Sequence, residues 1–160
     1  MRNLPLLKKC GGTRSMSEHS PQCLFNEGLI NFPDGYQDRT VNVFVPPVAE
    51  APAFNISRDT LNPGEALAAY IDRQLALMEK HLKGWKQSAR NAVTLGDNLL
   101  QGEIVHASYL RDGKRIWQQQ AVFNANTDKV LVFTMTCSRT LSDADSTLLG
   151  GLLRSFRFHN

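Results

Sequence analysis

The chain of 160 residues lacks most of what would mark a specialised chemistry. No apolar run approaches the roughly 18 to 20 residues that cross a bilayer as a helix. No internal repeat or low-complexity tract stands out. Cysteine is scarce: Cys10, Cys23 and Cys137 are an odd number without paired spacing. They form no disulfide framework, and a reducing, cytosolic compartment is expected. No Cys-x-x-Cys occurs, and His19, His81, His106 and His159 include no pair at metal-ligand spacing on a helix. Gly11-Gly12 and Gly150-Gly151 do not follow a strand and open a helix, so no phosphate loop is present. Asp143 and Asp145 sit at a helix start, where carboxylates ordinarily serve the helix dipole. No catalytic residues, metal site or cofactor are therefore expected.

Basic character is also missing from the body of the chain. The net charge is +3, but Arg2, Lys8, Lys9 and Arg14 all fall in the first fifteen residues. Without them, 14 basic face 15 acidic residues, a net of −1. The remaining cations are scattered with no aromatic interleaving, which argues against nucleic acid as a partner. The leader itself makes a poor signal peptide, because Lys8-Lys9 interrupt an apolar stretch that runs only from Leu4 to Leu7. Residues 1–20 are expected to be a disordered leader, with Met16 a candidate start, and residues 21–160 a single domain.

What is present reads as α+β. Short apolar runs at Gln22–Phe25 and Gly28–Phe32 flank a turn at Asn26-Glu27, and Thr40–Val45 alternates as a strand with Val41, Val43 and Val45 on one face. Ala53–Arg58 reads as another strand. A helix is expected over Pro63–Lys83, with Asn62 as N-cap, Glu65 completing a capping-box pattern and Gly84 as the stop. Its apolar stripe, Leu67, Tyr70, Ile71, Leu75, Met78 and Leu82, has Gln74 in its middle. Four strands follow as a meander near 85–93, 98–110, 115–124 and 129–137, and Ser142 caps a last helix over Asp143–Ser155. An antiparallel sheet of about six to eight strands with two helices is expected.

The sheet strands do not alternate cleanly. Ile116 and Val122 share a face with Gln118 and Gln120, while Trp117, Ala121 and Phe123 occupy the other with Gln119. Apolar residues on both faces mean that both must be covered. The chain's own helices account for one face. The other needs either the same helices or a second subunit or partner.

The segment Asn31-Phe-Pro-Asp-Gly-Tyr-Gln-Asp-Arg-Thr-Val-Asn-Val-Phe44 resembles the opening of the Eag chaperones of type VI secretion systems, members of the DcrB-like group with a PsbP-like fold. The resemblance continues through Phe54–Asp59, the helix at Tyr70–Leu75 and Lys80–Gly84, and the strand Gly113–Phe123. It implies a cytosolic homodimer that binds and shields the N-terminal transmembrane-helix region of an effector and aids its loading onto the secretion spike. It also implies a client-binding surface of apolar residues and glutamines. Val41, Val43, Gln74, Ile116 and Gln120 match its positions, Leu82 of the helix stripe is a further client-binding candidate, and Asn55 stands where an apolar residue is expected. Each has a plainer role open to it: core packing for the valines, a surface or internally bonded position for the glutamines. A general DcrB-like interaction module or a small-ligand binder is the alternative function.

Overall fold

The computed structural model describes residues 22–159, so the expected leader lies outside the described residues. Contacts divide the chain into two units, Met1–Thr40 and Val41–Asn160.

In the first unit, β1 (Gln22–Phe25) and β2 (Gly28–Asn31) pair antiparallel, Phe25 opposite Gly28, around the expected Asn26-Glu27 turn. Further on, Asp38 accepts hydrogen bonds from both the backbone N–H and the hydroxyl of Thr40.

The second unit is built on a six-stranded sheet. In chain order it comprises β3 (Asn42–Phe44), β4 (Ala53–Thr60), α1 (Leu67–His81), β5 (Lys83–Leu95), β6 (Leu100–Arg111), β7 (Lys114–Asn124), β8 (Lys129–Cys137) and α2 (Asp143–Arg154). The spatial order is β3-β4-β8-β7-β6-β5, and every pair is antiparallel. β5 to β8 form the expected meander because tight turns such as Asp112-Gly113, both at positive φ, return the chain directly. β4 lies beyond β8, so α1 must carry the chain from β4 across the sheet to the far edge at β5.

The two helices take opposite faces. Leu149 and Leu153 of α2 pack on Ala121, Phe123, Phe133 and Met135, the larger core. Tyr70 and Ile71 of α1 pack on Val105, Val122 and Val130. The apolar residues on both faces of β7 and β8 are thus matched within the chain, one helix to each face. One glycine is dictated by this packing. A Cβ on Gly102 of β6 would stand 2.1 Å from the carbonyl oxygen of Val122 and 2.5 Å from the Phe123 ring. That ring fills the space a side chain would take.

α1 starts later than its sequence pattern predicts. Gly64 adopts φ +74°, which turns the chain out of helical space. Asn62 to Glu65 instead form a turn: the Glu65 N–H donates to the Asn62 carbonyl at 2.9 Å, and the Asn62 N–H donates to Glu65 Oε1 at 3.0 Å. The reciprocal Glu65 bond therefore exists, but it closes a turn ahead of the helix. The true N-cap is Ala66, with no side-chain bond. At the other end the helix stops at His81, and Gly84, at φ +63°, lies inside β5 where the β5–β6 register shifts. α2 starts as predicted. Ser142 and Asp145 form a complete capping box, and Arg139 grips both Asp145 carboxylate oxygens, at 2.7 and 3.2 Å. Arg139 also donates to the carbonyl of Glu50 at 3.0 Å, which ties the β3–β4 loop to this helix end.

Candidate binding groove

Because α1 crosses the sheet rather than covering it, a cleft remains along its flank. Tyr70, Ile71, Gln74, Leu75 and Met78 of α1 form one wall; the floor is Ser57 and Asp59 of β4, Val132 of β8, Gln120 and Val122 of β7 and Val105 of β6. The helical periodicity that buries Tyr70 and Ile71 is the one that turns Gln74 and Met78 toward this space.

Register sets what lies beside the cleft. Val43 pairs with Asn55, Asn55 with Thr134, Thr134 with Gln120, Gln120 with Val105, and Val105 with Arg90. Paired residues share a face, so these six side chains form one row across the whole sheet on the side that α1 crosses. Gln120 Nε2 donates to Thr134 Oγ1 at 3.4 Å.

The position of α1 over this row is fixed by polar contacts. The Tyr70 hydroxyl donates to Asp59 Oδ2 at 2.7 Å. Burial raises the phenol above its ordinary range, and the bond to the nearby Asp59 carboxylate pushes it the same way. Arg73 donates twice to Glu65, both at 2.9 Å, and lies over the Tyr70 ring. Arg90 of β5 binds Glu103 of β6 at 2.6 Å and reaches Asp72 and the Ala68 carbonyl on α1.

The residues singled out from the sequence fall in different places. Gln74 and Gln120, from separate elements, are brought onto one cleft. Val43 is 66% exposed and joins Gln120 in the cross-strand row, three strands away, or roughly 14 Å at ordinary strand spacing. Val41, 50% exposed, lies just before β3. Ile116 shares the Gln120 face of β7 but is buried and does not line the cleft; Leu82, half-buried at the C-cap of α1, does not line it either. Sequence reasoning passed over Ser57, Asp59, Val105, Val132 and Thr134. Val105, Val132 and Thr134 come beside Gln120 through the β6–β7 and β7–β8 pairings of the meander, but only the pairing of β4 with β8 brings in Ser57 and Asp59, and no local pattern signals that. Met78 was visible in the helix stripe, and its turn toward the cleft follows from its spacing four residues after Gln74.

Chemically the site offers amide, hydroxyl and apolar groups together with the Asp59 carboxylate and the Arg58 guanidinium. Among the described residues, no three His, Cys, Asp or Glu side chains are grouped so as to hold a metal ion, and no helix is long and apolar enough to cross a membrane. The cleft volume is about 180 Å³, below the roughly 300 to 1,000 Å³ of small-molecule pockets.

The fold is therefore α+β, an antiparallel six-stranded sheet crossed by one helix and backed by another, with an open amide-bearing cleft under the first. The chain belongs to the DcrB family, whose model matches residues 27–155. It is 30% identical over 114 residues to a Pseudomonas aeruginosa protein named Effector EagT6, spanning 69% of this chain and 77% of that one. Among solved structures, the P. aeruginosa protein of unknown function PA94 superposes with a TM-score of 0.68 at 23% identity, over 89% of this chain and 99% of its own. That likeness confirms the fold, in keeping with the PsbP-like architecture that the sequence resemblance implies. LpqN of Mycobacterium tuberculosis, involved in cell envelope biogenesis, gives a TM-score of 0.43 at 19% identity over 72% of this chain and 78% of its own.

Proposed function

We propose that the chain is a cytosolic chaperone that holds the N-terminal transmembrane-helix region of a type VI secretion effector in soluble form before export and aids its loading onto the secretion spike. The observation that carries this reading is the pair Gln74 and Gln120 facing one cleft among Tyr70, Ile71, Leu75, Met78, Val105, Val122 and Val132. The relationship to the protein named Effector EagT6 supports an effector as the client.

The physics suits the task. A membrane helix in water exposes apolar surface, and covering about 1,000 Å² of it gains on the order of 25 kcal/mol gross. Immobilisation and desolvation consume much of that gain. The glutamine amides supply two donors and an acceptor each for polar groups of the client, as polar side chains do between helices in membranes. The cleft alone is too small for a helix. Exposed Val43, which shares the face of the cleft, and the exposed Val41, Val45 and Val48 around the edge strand β3 extend it, and a homodimer would supply further surface. A free apolar edge of this kind is what a monomer avoids unless something covers it. The cleft volume speaks against the small-ligand alternative.

The test is co-expression with the N-terminal segment of an effector that carries apolar helices. Val41→Asp plus Val43→Asp changes two exposed positions, so the variant is expected to fold with an unchanged melting temperature. Copurification of the segment with the parent chain, and its loss with the folded variant, is the expected result. A segment that stays soluble and bound to the double variant removes β3 from the site. Failure of every such segment to bind removes the chaperone reading and leaves a DcrB domain with another partner.

A further inference from the structure

The reading above leaves one residue unused. Asn55 lies at the centre of β4, a strand paired on both sides, where asparagine is disfavoured against β-branched and aromatic residues. It is half-buried. Its place in the cross-strand row lies between exposed Val43 and buried Thr134. Two residues along the same strand face, Ser57 lines the cleft, and on the neighbouring strand β8 Thr134 receives the Gln120 amide. Ser57, Asn55, Thr134 and Gln120 therefore make a continuous uncharged polar strip over β4, β8 and β7. Among the described residues the Asn55 amide makes no hydrogen bond of its own.

We infer that Asn55 is a specificity residue, which makes the groove prefer a client helix carrying an uncharged hydrogen-bonding side chain on the face laid over β4. This rests on the chaperone reading and refines it. An all-apolar helix laid over the strip would strip water from the Asn55 amide and return no bond, which weakens binding about tenfold to a hundredfold. A serine, threonine, asparagine or glutamine at that depth restores the bond. A charged client residue would lose its water beside Asn55, whose uncharged amide cannot neutralise it. The client's buried face is thus two-sided: apolar against Val43 and Met78, hydrogen-bonding against Asn55 and Gln120.

The test uses the full chain and two otherwise identical leucine–alanine helices of about 20 residues, fused to a soluble carrier. One has a central leucine and the other a central asparagine, placed in turn at successive positions through one helical turn. The parent chain is expected to bind the asparagine helix about tenfold more tightly at one of these positions. Asn55→Val abolishes the preference without weakening the all-leucine helix, and Asn55→Thr, which keeps a hydroxyl and suits a strand, retains it. Equal binding of the two helices by the parent chain overturns the inference while the chaperone reading stands. So does an equal loss of both helices in a folded Asn55→Val chain. Binding of neither helix by the parent chain overturns both.

Discussion

Gly150 and Gly151 sit side by side in the interior of α2, and the structure makes a definite statement about what they are worth. A Cβ built on either meets no atom within 4 Å. Neither is held at the positive φ where a side chain would be strained. Among the described residues nothing requires a glycine at these positions, yet each costs about 0.8 to 1 kcal/mol relative to alanine in a helix interior. The double substitution Gly150→Ala plus Gly151→Ala is therefore expected to stabilise the fold by about 2 kcal/mol. For a chain of this size that corresponds to a rise in melting temperature of roughly 4 to 8 °C, well within the resolution of calorimetry or circular dichroism. The same variant carries a second expectation. α2 packs on the face of the sheet opposite α1, so capture of a client segment should be unchanged. A melting temperature that stays the same or falls refutes the claim that the glycines are idle in the fold. A stabilised variant that loses its client refutes the placement of the groove on the α1 face.

Other positions give outcomes of different sign. Gly102→Ala forces a methyl against the Val122 carbonyl and the Phe123 ring, and should cost about 3 kcal/mol or more, read as a lost or strongly lowered thermal transition. Asp145→Ala removes the α2 capping box and the Arg139 bond together. A loss of at least about 1 kcal/mol is expected in chemical denaturation, and none would mean that the cap is idle. Asp145 also bears on acid stability. The Arg139 guanidinium and the Ser142 N–H hold its carboxyl well below the usual range, so its contribution is complete above its unfolded value near 4 and fades as pH falls below that. Asp145→Asn should flatten the acid limb of the stability curve. His106 acts at higher pH: burial disfavours its charged form and lowers its pKa. Its neutral form is therefore accommodated above the unfolded value near 6.5, and stability declines as pH drops through and below that value. His106→Gln should remove that part of the slope between pH 7 and 5, and an unchanged slope would refute it.

Much of this fold is legible from local pattern. β8 occupies the stretch read from the sequence, Lys129–Cys137, because turn residues bound an apolar strand on both sides. The Ser142 cap and the Asn26-Glu27 turn are equally local. The start of α1 was misplaced for a reason that sequence hides. Asn62-Pro63 with Glu65 satisfies the rules for a helix start, and only the backbone shows Gly64 turning left-handed between them. The assignment of one helix to each face depends on where each packs, which no periodicity states. Gln74 was conspicuous because it interrupts an apolar stripe. Its meeting with Gln120 depends on the crossover of α1, and the row from Val43 to Arg90 on β4 joining the sheet beside β8. Asn55 is the clearest case. From the sequence it is an awkward residue in a strand, and only the register gives it neighbours.

The anchoring of α1 has a mechanical consequence. The helix begins six residues after β4 and gives way to β5 after a single residue, at opposite sides of the sheet. Between those ends the Tyr70–Asp59 and Arg90–Asp72 contacts tie it down. A wall held at both ends cannot swing like a lid. The way in and out of the groove is consequently sideways, across the short strand β3, and on the proposed chaperone function a held helix would leave by competition for that flank rather than by opening a hinge.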